Sequence, residues 1–220
     1  MNKVVQKRLA AAVATGALLT SFNVFAEEGN WMARVRAVNV LWDNNSGAVA
    51  ALAVPSGAIK ASNETIPEID ITYFFTKNLA AELILTYPQK HKVRVTQSAV
   101  GAFDAGTLKE LPPTLTLQYH FMPDAQFRPY VGAGINYTRF SSVNLAPLDA
   151  VTGGTNSVKN TSIGGSVQVG LDIKVGTNSY INLDLKKVYL RTDLNNSVAG
   201  KLSYLKLDPT LLGIGYGFRF

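Results

Sequence analysis

Ionisable side chains recur at every second position in several stretches of this chain, and that spacing decides what chemistry they can do. Arg34 and Arg36, Glu68 and Asp70, Asp172 and Lys174, and Asp184 and Lys186 are each two residues apart. In an extended strand each such pair points to one face. Glu82, His120 and Arg219 extend the set on other stretches, and the five carboxylates are matched by five permanent cations. If these groups share an interior they must pair, because an uncompensated buried charge costs several kcal/mol. A structural plug of ion pairs is the expected outcome. An ion-selective lining is the sharper alternative, but a near-neutral set offers no preference of sign.

Catalysis would call for a positioned base, most often histidine. The chain has only His91 and His120. His120 ends a stripe of Thr114, Thr116 and Gln118 and reads as a hydrogen-bonded interior residue; no enzyme is expected. With no cysteine in the chain, neither a disulfide nor a thiolate metal site is available, and no metal or cofactor is expected.

The elements that would position these residues are strands. Eight stretches alternate apolar and polar residues: 30–42, 66–75, 79–88, 113–121, 128–140, 162–174, 179–190 and the C-terminal strand. The fourth is the clearest, with Leu115, Leu117, Tyr119 and Phe121 against Thr114, Thr116, Gln118 and His120. Short turns at 76–78, 122–127 and around Gly176 alternate with long connections at 43–65, 89–112, 141–161 and 191–204. Eight antiparallel strands of this length, with short turns at one end and long loops at the other, predict an all-β fold, a transmembrane β-barrel.

The last residues carry the same message. Leu212, Ile214, Tyr216, Phe218 and Phe220 line one face, with Gly213, Gly215, Gly217 and Arg219 on the other. A soluble protein rarely ends on an unprotected apolar edge, whereas a closed barrel in lipid does. The terminal Phe, with Phe218 and Gly215 at their offsets, also resembles the signal read by the machinery that assembles bacterial outer-membrane barrels, an expected partner. At the other end, Lys3, Lys7 and Arg8 precede an apolar run from Leu9 to Leu19 and a small-residue site at Val24-Phe25-Ala26. That is the pattern of a secretory signal peptide over 1–26, leaving 27–220 as the barrel and an outer-membrane destination. Three of the 21 basic residues leave with it and no acid does, so the formal charge falls from +6 to +3. The basic balance is partly a targeting feature and implies no nucleic-acid partner.

Aromatic residues set the orientation. Trp31, Tyr73, Phe75, Tyr119, Phe121, Phe218 and Phe220 share the apolar face near the short turns, as a periplasmic aromatic belt would. Tyr87, Tyr137 and Tyr189 form a thinner belt at the loop end. Arg139 and Lys187 share the outward parity there and are expected at the level of lipopolysaccharide phosphates. His91, between Lys90 and Lys92, reads as part of a basic cluster facing the same layer.

Two longer motifs carry a family likeness: Leu111-Pro112-Pro113-Thr114, and the run Phe127-Arg128-Pro129-Tyr130-Val131-Gly132-Ala133-Gly134-Ile135-Asn136-Tyr137. With Pro88 followed by His91-Lys92, they resemble the OmpW/AlkL family of outer-membrane proteins over essentially the whole chain after the signal peptide. The terminal Gly217-Phe218-Arg219-Phe220 stands where the family often shows Gly-Tyr-Arg-Phe. The resemblance implies an eight-stranded barrel that admits small hydrophobic molecules; periodicity alone implies only the barrel.

The inward face changes character with height. Toward the short turns it carries the charge plug of Arg34, Arg36, Asp70, Glu82, Asp172, Lys174, Asp184, Lys186 and Arg219. Toward the loops it carries Val38, Val40, Trp42, Val188, Leu190, Leu207 and Leu211, from three strands that neighbour one another in a closed barrel. These apolar residues either pack the barrel mouth or form a pathway for apolar solutes, which burial favours by roughly 25 cal/mol per Å². With a charged plug below, such a solute would leave sideways into the membrane. Gly132, Gly134, Gly164, Gly165, Gly170, Gly213, Gly215, Gly217 and Pro209 mark the fifth, sixth and eighth strands as places for a gap, or relieve interior crowding there. A surface barrel acting through its loops as a receptor for phage, bacteriocin or host is the alternative function.

Overall fold

The computed structural model describes residues 29–220. The expected signal peptide lies outside the described residues. In chain order the elements are β1 (Trp31–Leu41), β2 (Asn45–Ser46), a 3-10 turn at Ala50–Leu52, β3 (Ile59–Ala61), β4 (Glu64–Phe74) and β5 (Leu79–Leu85). There follow β6 (Gln89–Val95), β7 (Phe103–Leu111), β8 (Thr114–His120), β9 (Phe127–Asn144) and the helix α1 (Ala146–Thr152). The chain ends with β10 (Asn156–Val158), β11 (Thr161–Lys174), β12 (Ser179–Val188), β13 (Arg191–Asn196), β14 (Gly200–Lys206) and β15 (Thr210–Arg219).

Eight of these strands close on themselves in the order β1-β4-β5-β8-β9-β11-β12-β15, every neighbour antiparallel. The β1–β15 ladder runs from Met32↔Arg219 to Leu41↔Thr210, so the last strand seals the first. Parity behaves as the alternation dictates: Met32, Arg34, Arg36, Val38 and Val40 are buried, while Trp31, Ala37 and Leu41 face out. The outer face exposes Leu83, Leu115, Ile135, Val169, Leu183 and Ile214, a continuous apolar band of the kind that marks a membrane-facing surface. Aromatic pairs rim its lower edge: Trp31–Tyr73 at 4.7 Å and Tyr119–Phe121 at 5.0 Å between ring centroids.

The long connections differ from the expectation of irregular loops. Residues 89–111 form the β6–β7 hairpin, and β9 continues to Asn144 so that β7 can pair with it. β3 pairs with the far edge of β6, so the barrel wall rises on this side well above the other strands. The cause is alternation in the supposed loop: Gln89, His91, Val93 and Val95 are buried, and Lys90, Lys92 and Arg94 are exposed. Gly106, at φ 143°, marks the irregular crossing of β7 and β9; a Cβ there would stand 2.0 Å from the Asn144 carbonyl oxygen. A second sheet, β10-β13-β14-β2, and α1 stand over the opening.

One seam of the barrel is open. The β4–β5 ladder ends at Ile69↔Leu85, and on that side Glu64–Glu68 meets no strand partner. Backbone contact resumes where Ser62 N–H donates to the Lys92 carbonyl at 3.2 Å. Pro67 and Pro88, one on each side of the seam, lack the donor a ladder needs.

Candidate functional site

The interior is layered. At the short-turn end Met32, Phe74, Ala80 and Tyr180 form a small apolar cluster. Above it lies a network of ion pairs held by β1, β4, β5, β11 and β12. Arg34 Nη1 pairs with Asp70 Oδ1 at 3.0 Å and its Nη2 with Asp172 Oδ2 at 2.8 Å. Arg36 reaches Glu68 at 3.0 Å and Asp70 at 2.6 Å, and also bonds Glu82. Lys186 Nζ stands 3.2 Å from Glu82 Oε1. Asp184 accepts from the Tyr130 hydroxyl at 2.7 Å and from the Gln168 amide. All these charged groups are buried. Every member but Glu82 has a polar or charged neighbour two residues away on the same face, which is why the sequence aims them together.

Two residues grouped with this network by parity sit one inward row lower. Arg219 faces Met32 in the ladder, beneath the Arg34–Gly217 pair, and lays its guanidinium 4.0 Å from the centre of the Phe74 ring. Lys174 faces Tyr180 beneath the Asp172–Asn182 pair and is half-buried at the rim. Strand tilt and register decide height, and alternation reports only which face a residue takes.

Alternation also passes over uncharged members of the layer. Tyr130, Gln118, Gln168 and Asn182 are buried and hydrogen-bonded there. Tyr130 fills space that Gly170 leaves: a Cβ on Gly170 would stand 2.2 Å from the Tyr130 ring. The glycine relieves crowding, and the ladders through β9, β11 and β15 continue past their glycines. His120 stacks on Tyr130 at 4.9 Å and bonds Gln118 through Nε2 at 3.0 Å, as an interior residue on a polar stripe should.

Above the charges a large apolar cluster occupies the lumen, with Thr114, Asn136 and Thr138 polar at its lower edge. Val38, Val40, Trp42 and Leu190 belong to one buried cluster, with Leu207 and Leu211 packed against it at partial burial. Val188 is buried beside Leu190 and Leu211 at the level just above the charges. The sequence places these seven on one wall; Ile66, the ladder partner of Val38, adjoins them on β4, Ile59, Val93 and Leu108 come from the raised β3-β6-β7 wall, and Leu145, Leu148, Leu194 and Leu205 roof the cluster. The connecting segments thus close the mouth with an apolar core, because each presents an alternating or amphipathic face to it.

Three small voids run in series through this cluster. The uppermost, about 20 Å³, is lined only by apolar residues, Val49, Leu148 and Val158 among them. It shares Ile59, Val93, Leu108 and Leu205 with a second of about 20 Å³ beside Trp42. The second shares His91 and Glu110 with a third of about 40 Å³. The third touches Glu68 at the top of the ion-pair layer, and Ile66, Ile84, Thr86 and Gln89 from the two sides of the open seam.

His91 is therefore not a surface residue. Its neighbours Lys90 and Lys92 are exposed, but the imidazole is buried against Trp42, with ring centroids 5.0 Å apart. The signal was its parity with Val93 and Val95; the flanking charges masked it. The outward face of the raised wall is basic: Lys60 stands opposite Arg94, and Lys90 opposite Lys109, with Asp104 paired to Arg94 at 2.8 Å. Arg139 is exposed nearby, opposite Leu111. Lys187 bends back to donate to the Asp208 carbonyl at 2.6 Å. Among the described residues no cluster of three His, Cys, Asp or Glu side chains could hold a metal ion.

Comparison with known proteins gives this architecture a context. The OmpW family profile matches residues 27–220. An uncharacterized outer-membrane protein y4mB of Sinorhizobium fredii is 41% identical over 199 residues, covering 86% of this chain and 80% of that protein. Outer membrane protein W of Escherichia coli is 30% identical over 97% of this chain and 100% of its own length. The dibenzothiophene metabolism operon protein PahQ of Pseudomonas aeruginosa is 29% identical over 89% of this chain and 91% of its own. Among solved structures, the crystal structure of the outer membrane protein OprG from Pseudomonas aeruginosa superposes with a TM-score of 0.74 at 25% identity, covering 88% of this chain and 97% of OprG.

Proposed function

Because this chain belongs to the OmpW family of outer-membrane barrels, we propose that it is a channel for passive uptake of small hydrophobic molecules. The observation that carries the reading is the series of voids descending from a wholly apolar upper chamber, through mixed apolar and polar linings, to the ion-pair layer. A solute entering from the loop side gains burial along that line and loses it at the charges, where displacing paired ions costs several kcal/mol. The lowest void lies against the open β4–β5 seam, so the exit of least cost is sideways into the membrane, not onward to the periplasm. In the closed arrangement the voids are far smaller than the roughly 300 Å³ of a usual ligand pocket, so passage requires the apolar side chains to part. Association of the relative PahQ with a dibenzothiophene metabolism operon agrees with an apolar aromatic cargo.

The basic outer face of β3, β6 and β7, with Arg139, supports contact with lipopolysaccharide phosphates just above the apolar band. Phe220, exposed at the end of β15, suits recognition by the barrel-assembly machinery. The test of uptake is entry of a hydrophobic fluorescent probe, N-phenylnaphthylamine, into Gram-negative cells with and without the barrel. Faster entry with the barrel is expected; equal entry returns the protein to the alternative, a surface receptor acting through its loops.

A further inference from the structure

Along the line of voids one place is polar without being satisfied. His91 is 1% exposed and Glu110 4%. Nε2 of His91 stands 3.3 Å from Glu110 Oε1, and Nδ1 stands 4.0 Å from Glu64 Oε2. Neither contact has hydrogen-bond geometry, so both ring nitrogens and Glu110 Oε2 are buried polar atoms with no hydrogen-bond partner. Buried groups of this kind are nearly always bonded in folded proteins, and leaving one unmet costs free energy that a stabilising ligand contact recovers. Both residues border the 40 Å³ void, to which Val40, Ile66 and Leu190 contribute hydrocarbon and Thr114, Asn136 and Thr138 polar groups. The cations of the ion-pair layer below are engaged with their own carboxylates: Glu68, its highest member, is bonded to Arg36.

We infer that His91 and Glu110 form a polar seat that makes the channel select small apolar molecules carrying one hydroxyl, alcohols or phenols, over hydrocarbons of the same shape. A neutral imidazole offers one donor and one acceptor, and a carboxylate offers acceptors only. The smallest group that both donates and accepts is a hydroxyl. A carboxylate on the solute would meet Glu110 as a like charge, and a pure hydrocarbon would leave all three atoms unmet. The void has room for the hydroxyl itself; the apolar body takes the space opened when the surrounding aliphatic side chains part. This inference rests on the uptake reading above, and it adds the class of solute.

The test uses the barrel in lipid nanodiscs with its Leu and Val methyl groups labelled for NMR, titrated with toluene and with p-cresol, which add up to the same ring and methyl with and without a hydroxyl. Shifts of the Leu190 and Val40 methyls report occupancy of the upper lumen. After correction for partition into lipid, p-cresol is expected to bind about tenfold more tightly than toluene. His91→Phe, which keeps a ring against Trp42, and Glu110→Leu are each expected to bring the ratio near one. The amide spectrum shows which variants are folded, and either one alone decides. Equal affinities in the unaltered barrel, or a preference that survives in a folded variant, overturn the inference while leaving uptake standing. If neither compound shifts those methyls, the uptake reading fails and this one with it.

Discussion

Arg34 and Asp172 meet side-on across the barrel, Nη2 to Oδ2 at 2.8 Å and Nε to Oδ1 at 3.3 Å, although 138 positions separate them in the chain. The same guanidinium holds Asp70 and Thr72 on the neighbouring strand. One side chain of the first strand thereby ties β4 to β11, elements that share no ladder. Breaking such a pair leaves an uncompensated charge in a dry layer, at a cost of about 3 kcal/mol or more. Asp172→Ala should therefore lower the urea midpoint of the folded barrel clearly, and Arg34→Met should lower it further because two carboxylates lose their cation. The double change Arg34→Met with Asp172→Leu should cost less than the two single changes added together. Strict additivity would mean that the pair is not coupled.

Gly170 and Tyr130 share one volume. Gly170→Ala places a Cβ 2.2 Å from the ring and 2.8 Å from the Leu183 carbonyl oxygen. Overpacking of this kind costs about 2 kcal/mol. Gly170→Ala should shift heat-modifiable gel mobility toward the unfolded form at a lower temperature, and Tyr130→Leu in the same chain should recover part of the loss. A Gly170→Ala barrel as stable as the original would show that the ring moves aside freely.

The seam between β4 and β5 is open to a direct lock. Continuing the Ile69↔Leu85 register by two residues places Pro67 opposite Tyr87, both exposed on the outer face. The chain has no cysteine, so Pro67→Cys with Tyr87→Cys gives a single possible disulfide. Oxidation should slow probe entry into cells and reduction should restore it. Unchanged entry through the oxidised form, with the disulfide verified by mass spectrometry, would place the exit elsewhere.

Trp42 and Leu190 sit in the apolar cluster above the ladder rather than within the charged layer. Trp42→Ala removes a ring whose indole N–H donates to the Ser62 carbonyl at 3.1 Å, and should speed probe entry severalfold by loosening the roof. Leu190→Asp buries a carboxylate there and should slow entry. Both should remain heat-modifiable, because the eight-stranded ladder lies below them. Entry unaffected by either change would mean that solutes bypass this lumen.

Lys90 and Lys92 point away from the lumen on β6, beside Lys109 and Lys60. Replacing both with Glu should reduce the lipopolysaccharide that copurifies with the barrel, while leaving probe entry into nanodisc-free whole cells within about twofold. Equal copurification would remove this face as the contact.

Much of this molecule is written in local pattern. The alternation through 31–41 and 114–120 assigns each side chain to lumen or lipid, since a strand offers only two faces. The charged stripe, the apolar stripe above it and the aromatic rim follow from that parity and from residue type, and so does a barrel closed by its last strand. Alternation also ran through 89–95, where the charges of Lys90 and Lys92 concealed the inward set of Gln89, His91 and Val93. What parity cannot carry is height and partnership. Lys174 and Lys186 have the same charge and the same face, yet one lies at the rim and the other beside Glu82, because height around a closed barrel depends on the register of every ladder between them. For the same reason only the folded chain brings Arg34 to Asp172, sets Pro67 and Pro88 on two sides of one unpaired seam, and leaves His91 facing Glu110 beside the lowest void. Each of these joins residues from strands that the sequence orders but does not align, and alignment is a property of closure.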